Sequence, residues 1–323
     1  MYATLIVLAA LWGAATGVLL PRAAYRFSVE PGDAWRDRCP AGHLITGPAG
    51  GWLGTARCPG CEAGVPGSSG TRTGAGNGAP AADAIGAVAA SAVPGAADAT
   101  RTPETTPEAP HDAGPGTPSE TGPAPGRSGA PDASLVRYAP SLLVPVLGAL
   151  GCAALAAATG PRPELAVWLL LAPFALLLAL VDRNVHRLPD QLTLPLALAA
   201  AVLLGPAALV PGGGGGDGSR SWTTALLGGV LLGACYFVLF LINPNGMGFG
   251  DVKLALSLGI VLGWYGWTVL FVGACAGFLL GALYGVGLML LRRAGRKSVI
   301  PFGPFMIVGA LLGLLLGALS VSA

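Results

Sequence analysis

Long apolar runs separated by short polar stretches dominate the chain from residue 135 to its end, and one more opens it. A helix needs roughly 17–25 predominantly apolar residues to cross the hydrocarbon core of a bilayer. Seven runs meet that length: Tyr2–Leu20, Leu142–Thr159, Leu165–Val181, Leu192–Val210, Trp222–Ile242, Trp267–Leu291 and Phe302–Val321. The pattern therefore predicts a helical membrane protein.

An eighth apolar run, Val252–Gly263, has only about 12 residues, or roughly 18 Å of helix. Whether it crosses decides on which side the next basic loop lies. If it did not cross, the arginines and lysine of residues 292–297 would lie outside, against the bias that keeps Lys and Arg in cytoplasmic loops. We therefore include it as a crossing and predict eight transmembrane helices, with the N-terminus outside.

The chain divides into four predicted parts. Residues 1–20 form a first transmembrane anchor, and residues 21–61 form a cytoplasmic segment that contains Cys and His. Residues 62–134 are rich in Gly, Ala, Pro, Ser and Thr, so they bury too little apolar area to fold and are predicted to be a disordered linker. Residues 135–323 hold the other seven helices. The predicted fold class is an all-α polytopic membrane protein with a small element in its first cytoplasmic loop.

Composition supports the membrane environment and narrows the partners. The chain is 53% hydrophobic and only 11% charged, whereas a soluble domain carries roughly 25% charged residues. Its 18 basic and 16 acidic residues give a formal net charge of +2. Binding to nucleic-acid phosphates requires an excess of basic side chains, so nucleic acid is excluded as the expected partner. The lipid bilayer is the predicted surrounding, and the oligomeric state stays open.

Two aspartates lie at predicted cytoplasmic ends of different helices. Asp182 closes the third span, and Asp251 opens the sixth after Gly246, Gly248 and Gly250. Two carboxylates at one depth can share a proton, so that one activates water while the other polarises a scissile carbonyl. Alternatively, each Asp only ends a helix, where helix dipoles or basic neighbours stabilise it. The glycines favour hydrolysis, because a bare backbone lets an extended substrate lie beside the carboxylate.

Two further charged residues accompany the pair. Asp190 lies where the fourth span begins, which suits a helix N-terminus. Lys253 could stabilise a charged Asp251 or extend its ammonium group to the lipid headgroups.

A different class of function also fits two acidic residues in a membrane protein. A transporter would use Asp182 and Asp251 as a proton or cation site. It predicts carboxylates near the bilayer midplane and an inverted repeat, and the sequence indicates neither. A purely structural scaffold leaves the alternating glycines unexplained.

The loop after the first span carries a second group of reactive residues, Cys39-Pro-Ala-Gly-His43 and Cys58-Pro-Gly-Cys61. The Cys-x2-Cys pair suits tetrahedral zinc, and Cys39 with His43 offers a second ligand pair. A degenerated, metal-free remnant of such a site is the alternative, and the sequence leaves both open.

The segment Gly248–Asp251, Gly-Phe-Gly-Asp, resembles the Gly-x-Gly-Asp signature of intramembrane aspartyl proteases. Asp182, followed after six residues by Pro189-Asp190, resembles the arrangement in bacterial type IV prepilin peptidases, as do the eight spans and the long first cytoplasmic loop. The resemblance implies a role for each part of the motif: a catalytic pair, Asp182 and Asp251; a substrate-binding active-site loop, Gly248, Phe249 and Gly250; and accessory positions, Asp190 and Lys253.

The same resemblance implies a peptidase of the bacterial cytoplasmic membrane that removes the basic leader of type IV prepilin-like precursors at the cytoplasmic face. Many prepilin peptidases carry two Cys-x2-Cys pairs in the first loop. This chain has Gly42 where one Cys would stand, so His43 would have to supply the fourth zinc ligand. In bifunctional members this region accompanies N-methylation from S-adenosylmethionine. Because no glycine-rich nucleotide-binding motif is present, methyl transfer is implied by resemblance alone.

Overall fold

The computed structural model describes residues 2–29, 33–64, 138, 141–210, 218–244, 247–291 and 301–322. These residues form helices and loops, with no β-strand among them. The all-α fold class is therefore confirmed for the described part of the chain. From residue 65 onward the predicted linker lies outside the described residues, and so does Gly246.

The helices follow the apolar runs closely. In chain order they are α1 (Tyr2–Phe27), the single turns α2 (Pro48–Gly51) and α3 (Pro59–Glu62), α4 (Leu143–Thr159), α5 (Glu164–Val185), α6 (Asp190–Leu209), α7 (Gly218–Ile242), α8 (Phe249–Gly263), α9 (Trp267–Leu290) and α10 (Gly303–Ser322). Each of the eight predicted spans corresponds to one long helix. Six of these, all except α4 and α8, are long and apolar enough to cross a membrane by length and composition.

The short helix α8 lies inside the bundle, where it packs against α6, α7, α9 and α10. Most of its side chains from Asp251 to Gly263 are buried. Its 15 residues correspond to roughly 22 Å, less than the thickness of the hydrocarbon core, but neighbouring helices rather than lipid surround it. The predicted helix is thus present, while the orientation with the N-terminus outside stays a prediction.

Glycines permit the closest helix contacts. A Cβ at Gly13 in α1 would overlap the carbonyl oxygen of Gly148 in α4, and one at Gly259 in α8 would lie 2.5 Å from the carbonyl oxygen of Gly228 in α7. Real Cβ atoms do not approach oxygen so closely, so these contacts require glycine. They allow α4 to pack closely against α1, and α8 against α7.

Helix α1 continues beyond its predicted boundary at Leu20 and ends at Phe27. Arg22 and Arg26, in this extension, are buried and donate hydrogen bonds to carbonyl groups within residues 46–53. The helix can include these arginines because the cysteine-containing segment supplies their acceptors. That segment is therefore bound to the end of α1.

Candidate active site

Asp182 lies in the last turn of α5 and is only 4% exposed. The helix continues past it to Val185 and ends at His186, whose left-handed backbone (φ 52°) turns the chain. The backbone N–H of His186 donates to the carbonyl oxygen of Asp182 at 2.7 Å. The N–H of Gly303 donates to the side-chain Oδ2 of Asp182 at 2.9 Å. Hydrogen bonds therefore hold both the backbone and the side chain of Asp182.

Asp251 is the third residue of α8 and is 7% exposed. Its backbone N–H donates to the carbonyl oxygen of Gly248 at 3.0 Å, which closes the first turn of the helix. The position agrees with the sequence, which predicted that Asp251 opens this span.

The fold brings the two aspartates together. Both line one cavity of about 930 Å³, and they lie close enough to interact electrostatically. Each reaches the cavity from a helix end, Asp182 from the C-terminal end of α5 and Asp251 from the N-terminal end of α8. Two buried carboxylates that interact in this way can share one proton as a pair, as acid–base chemistry on a peptide bond requires.

Gly250 determines how closely the two aspartate-bearing segments approach. A Cβ at Gly250 would lie 2.9 Å from the Cβ of Leu188 and 3.3 Å from its backbone nitrogen. Leu188 is a buried residue of the loop between α5 and α6. At Gly248, by contrast, the nearest atom to an added Cβ would be Oδ2 of Asp251, at 3.7 Å. A side chain at position 250 would therefore collide with Leu188, whereas one at position 248 would meet only ordinary contact distances. The role of both glycines in binding substrate stays a prediction.

Lys253 pairs with Asp190. Its Nζ lies 2.6 Å from Oδ1 of Asp190, the first residue of α6, and 4.8 Å from the centre of the Phe249 ring. The Phe249 ring in turn packs against Phe240, with ring centres 5.5 Å apart. The sequence offered Asp251 or the lipid headgroups as the partner of Lys253. The structure instead brings the starts of α6 and α8 side by side at the cavity, where Asp190 is within reach.

Two walls of the cavity were not predicted from the sequence. Phe27 at the end of α1, with Asp33 and Trp35 from the cysteine-containing segment, lines one side, and residues 301–302 before α10 line another. The Pro-Phe-Gly-Pro sequence at 301–304 was an available signal, because proline is typical of the first turn of a helix. Asp33 and Trp35 carry no comparable local signal, since their position depends on how the loop folds back.

The four predicted metal ligands come together in this loop. The ligand atoms of Cys39, His43, Cys58 and Cys61 all lie within 4.8 Å of one another. The Sγ of Cys61 is 3.3 Å from Nδ1 of His43 and 3.7 Å from Sγ of Cys39. Tetrahedral zinc, with bonds of roughly 2.0–2.3 Å, separates its ligands by about 3.3–3.8 Å. The donor atoms of Cys39, His43 and Cys61 therefore have the spacing of zinc ligands, and the Sγ of Cys58 lies within 4.8 Å of them. His43 takes the place of the cysteine that is missing at Gly42.

Two glycines shape this cluster. The N–H of Cys39 donates to the carbonyl oxygen of His43 at 2.9 Å, and Gly42 adopts the left-handed conformation (φ 86°) that closes this turn. A Cβ at Gly60 would lie 2.8 Å from Cγ of the His43 ring. Only glycine at position 60 leaves room for the imidazole beside the Cys-x2-Cys pair.

The ionisation of Cys58 also suits a metal ligand. Burial acts to raise the pKa of its thiol, but hydrogen bonds from the backbone N–H of Cys61 and from neighbouring thiols outweigh burial and lower the pKa to about 7. The thiolate is the form that binds metals, and it is well populated at neutral pH when the pKa is this low.

Aromatic side chains connect the Cys/His loop to the cavity. Trp52 lies under the guanidinium of Arg26, 4.2 Å from its ring centre, and packs edge-on against Trp35 at 5.1 Å. Phe27 contacts both tryptophans. Because Phe27 and Trp35 line the cavity, the loop forms part of the wall that faces the two aspartates.

Comparison with known proteins agrees with this geometry. Residues 169–286, which include both aspartates, match the model of the type IV leader peptidase family. Similar curated proteins are prepilin leader peptidase/N-methyltransferases of Aeromonas salmonicida strain A449 (35% identity; 47% of this chain, 48% of the relative), Aeromonas hydrophila (34%; 54% and 58%) and Bacillus subtilis strain 168 (31%; 44% and 52%). The matched part of the chain spans about half the length of these relatives. No solved structure gives a significant match to the chain.

The apolar helices and these matches define a multi-pass membrane protein. Within residues 169–286, this chain is similar to the type IV leader peptidase family. None of the relatives named here is a transporter, so the transporter alternative receives no support.

Proposed function

We propose that this protein is a membrane aspartic endopeptidase that removes the leader peptide from type IV prepilin-like precursors. The observation that carries the proposal is the pair of buried carboxylates, Asp182 and Asp251, which line one cavity. Both aspartates lie within the segment that matches the family. The cavity volume of about 930 Å³ is large enough for several residues of an extended peptide.

The chemistry follows from a carboxylate pair that holds one proton. The ionised carboxylate takes a proton from water, whose oxygen attacks the scissile carbonyl carbon, while the protonated carboxyl donates a hydrogen bond to the carbonyl oxygen. When the tetrahedral intermediate collapses, the C–N bond breaks and the leaving amine takes up a proton from the pair. Exclusion of bulk water from the buried carboxylates strengthens these interactions.

Cleavage at the cytoplasmic face is part of the proposal. Arg187 and Lys253 line the cavity, and Arg22 and Arg26 lie at the same end, beside the Cys/His loop that forms its wall. Basic residues concentrate on the cytoplasmic side of membrane proteins. Their presence supports an active site that faces the cytoplasm and an N-terminus on the opposite side.

We further propose that Cys39, His43, Cys58 and Cys61 hold one structural zinc ion, because their donor atoms cluster within 4.8 Å and three of them have the spacing of zinc ligands. When bound, zinc would cross-link the turn at residue 39 to the turn at residue 58. The relatives are also named N-methyltransferases. We assign no described residue to S-adenosylmethionine and derive no methyl-transfer step.

The test of the peptidase proposal is cleavage of a prepilin from the same genome by the full chain in detergent, read by mass spectrometry. We expect Asp182→Asn and Asp251→Asn each to lower the cleavage rate by about 10³-fold or more, because Asn cannot exchange the proton. Membrane insertion should be unchanged. Asp37→Asn, an exposed aspartate of the Cys/His loop, is the matched control and should cleave normally. Near-normal cleavage by either active-site variant would exclude the aspartyl mechanism.

A further inference from the structure

The carboxylate of Asp182 occupies the N-terminus of a helix that is distant in sequence. Its Oδ2 accepts the hydrogen bond from the backbone N–H of Gly303, the first residue of α10, at 2.9 Å. The contact is buried and joins the last turn of α5 to the first turn of α10.

The hydrogen bonds of this helix terminus explain why the Gly303 N–H is available. The first N–H groups of any helix lack acceptors within the helix. Here the N–H groups of Phe305 and Met306 donate to the carbonyl oxygen of Phe302, at 3.1 and 3.2 Å, and Pro304 has no N–H. Gly303 therefore carries the donor that needs an acceptor from outside α10, and Asp182 provides it.

The absence of a side chain at position 303 is equally important. A Cβ at Gly303 would lie 2.8 Å from Oδ2 of Asp182, 3.2 Å from its Cγ and 3.5 Å from its Cβ. All three nearest atoms belong to the same aspartate, so any side chain at 303 would push the carboxylate out of its position. Gly303 does not have a positive φ, so glycine is needed here for the close approach and not for its backbone conformation.

We infer that Gly303 is a positioning residue for Asp182: its N–H and its bare α-carbon together hold Oδ2 and so fix the carboxylate in the cavity that Asp251 also lines. The catalytic meaning of this inference rests on the proposed peptidase function, whereas the contact itself does not. A fixed carboxylate keeps the reacting atoms aligned, and a displacement of about 1 Å can reduce a rate by about 10²-fold.

The first test compares two glycines of α10. At Gly317, near the other end of this helix, an added Cβ would meet the Tyr265 side chain at the same 2.8 Å. We expect Gly303→Ala to lower kcat for prepilin cleavage by about tenfold or more and to change KM by less than about twofold, with Gly317→Ala leaving kcat within about twofold. A Gly303→Ala enzyme with kcat within about twofold of the original chain would overturn the positioning role.

The second test does not depend on activity and uses thermal unfolding of the purified chain in detergent. We expect Gly303→Ala to lower Tm in the original chain but not in an Asp182→Ala background, where the displaced carboxylate is gone. Asp182→Asn should unfold at a higher temperature than Asp182→Ala, because its amide oxygen still accepts the Gly303 N–H. Equal Tm losses from Gly303→Ala in both backgrounds would overturn the contact. If the original chain cleaves no prepilin, the proposed function fails. The comparison of Tm values in the two backgrounds still decides whether Gly303 holds Asp182.

Discussion

The aspartate pair and the Cys/His cluster are assembled in opposite ways. The cluster takes all four ligands from residues 39–61, so two tight turns are enough to bring them together. The aspartates come from α5 and α8, with α6 and α7 between them in the chain, and they meet only because the bundle packs correctly. Local turns thus build the candidate metal site, whereas packing between helices builds the candidate active site.

The two regions share one boundary, the aromatic wall formed by Phe27 and Trp35. The loop touches the cavity there, but it provides no described residue that hydrogen-bonds either carboxylate. We therefore expect changes in the loop to affect substrate binding and changes at the helix contacts to affect the chemical step.

Among changes that leave both aspartates in the chain, the largest effect is expected at Gly250, where packing between helix ends positions the pair. Gly250→Ala places a Cβ 2.9 Å from Leu188 and should separate α8 from the α5–α6 loop, lowering kcat by about 10²-fold. Gly248→Ala, whose Cβ meets only ordinary contacts, is the control and should lose less than about tenfold in kcat. Steady-state cleavage kinetics measure both. Equal losses would mean that substrate lies against both glycines, as the sequence alone suggested.

An intermediate effect is expected from loss of the metal site. The double substitution Cys58→Ser/Cys61→Ser should reduce zinc from one per chain to none and loosen the wall at Trp35, raising KM for prepilin by about tenfold. The kcat value should change by less than about threefold, because both aspartates stay in place. Elemental analysis and kinetics on the same preparation measure the outcome, with Cys235→Ser, an exposed cysteine of α7, as the control. Unchanged zinc content would refute the proposed metal site. A loss confined to kcat would refute the expectation that the loop affects substrate binding and not the chemical step.

The smallest effect is expected at the Lys253–Asp190 ion pair. The Asp190 side chain is 63% exposed, and exposed ion pairs contribute about 0.2–1 kcal/mol. Lys253→Met and Asp190→Asn should therefore each lower the free energy of unfolding by less than about 1 kcal/mol and retain substantial cleavage. The double variant should lose no more than the larger single loss, since both changes remove the same pair. Thermal unfolding with cleavage assays measures this, and a loss of activity as large as that of Asp182→Asn would assign one of these residues to the reaction.

Much of the architecture followed from hydropathy and residue spacing. The apolar runs predicted each of the eight bundle helices in the described residues, and α8 is the shortest of them. The Cys-x2-Cys and Cys-x3-His spacings predicted the cluster of four possible metal ligands. Helix boundaries were less accurate where polar residues are buried. The prediction ended the first span at Leu20, yet α1 includes the buried Arg22 and Arg26, whose acceptors lie in a distant loop.

The sequence by itself determined which residues can act: the aspartates, the alternating glycines and the four metal donors, because residue type, hydropathy and short spacing are local properties of the chain. Only the tertiary structure decided what those residues touch. It placed Leu188 against Gly250, Asp190 beside Lys253, Trp35 in the cavity wall and the N–H of Gly303 on Asp182. Such contacts depend on the rotation and depth of the packed helices. Contacts between distant segments, many of them at glycines, set that rotation and depth, and no local pattern in the sequence encodes them.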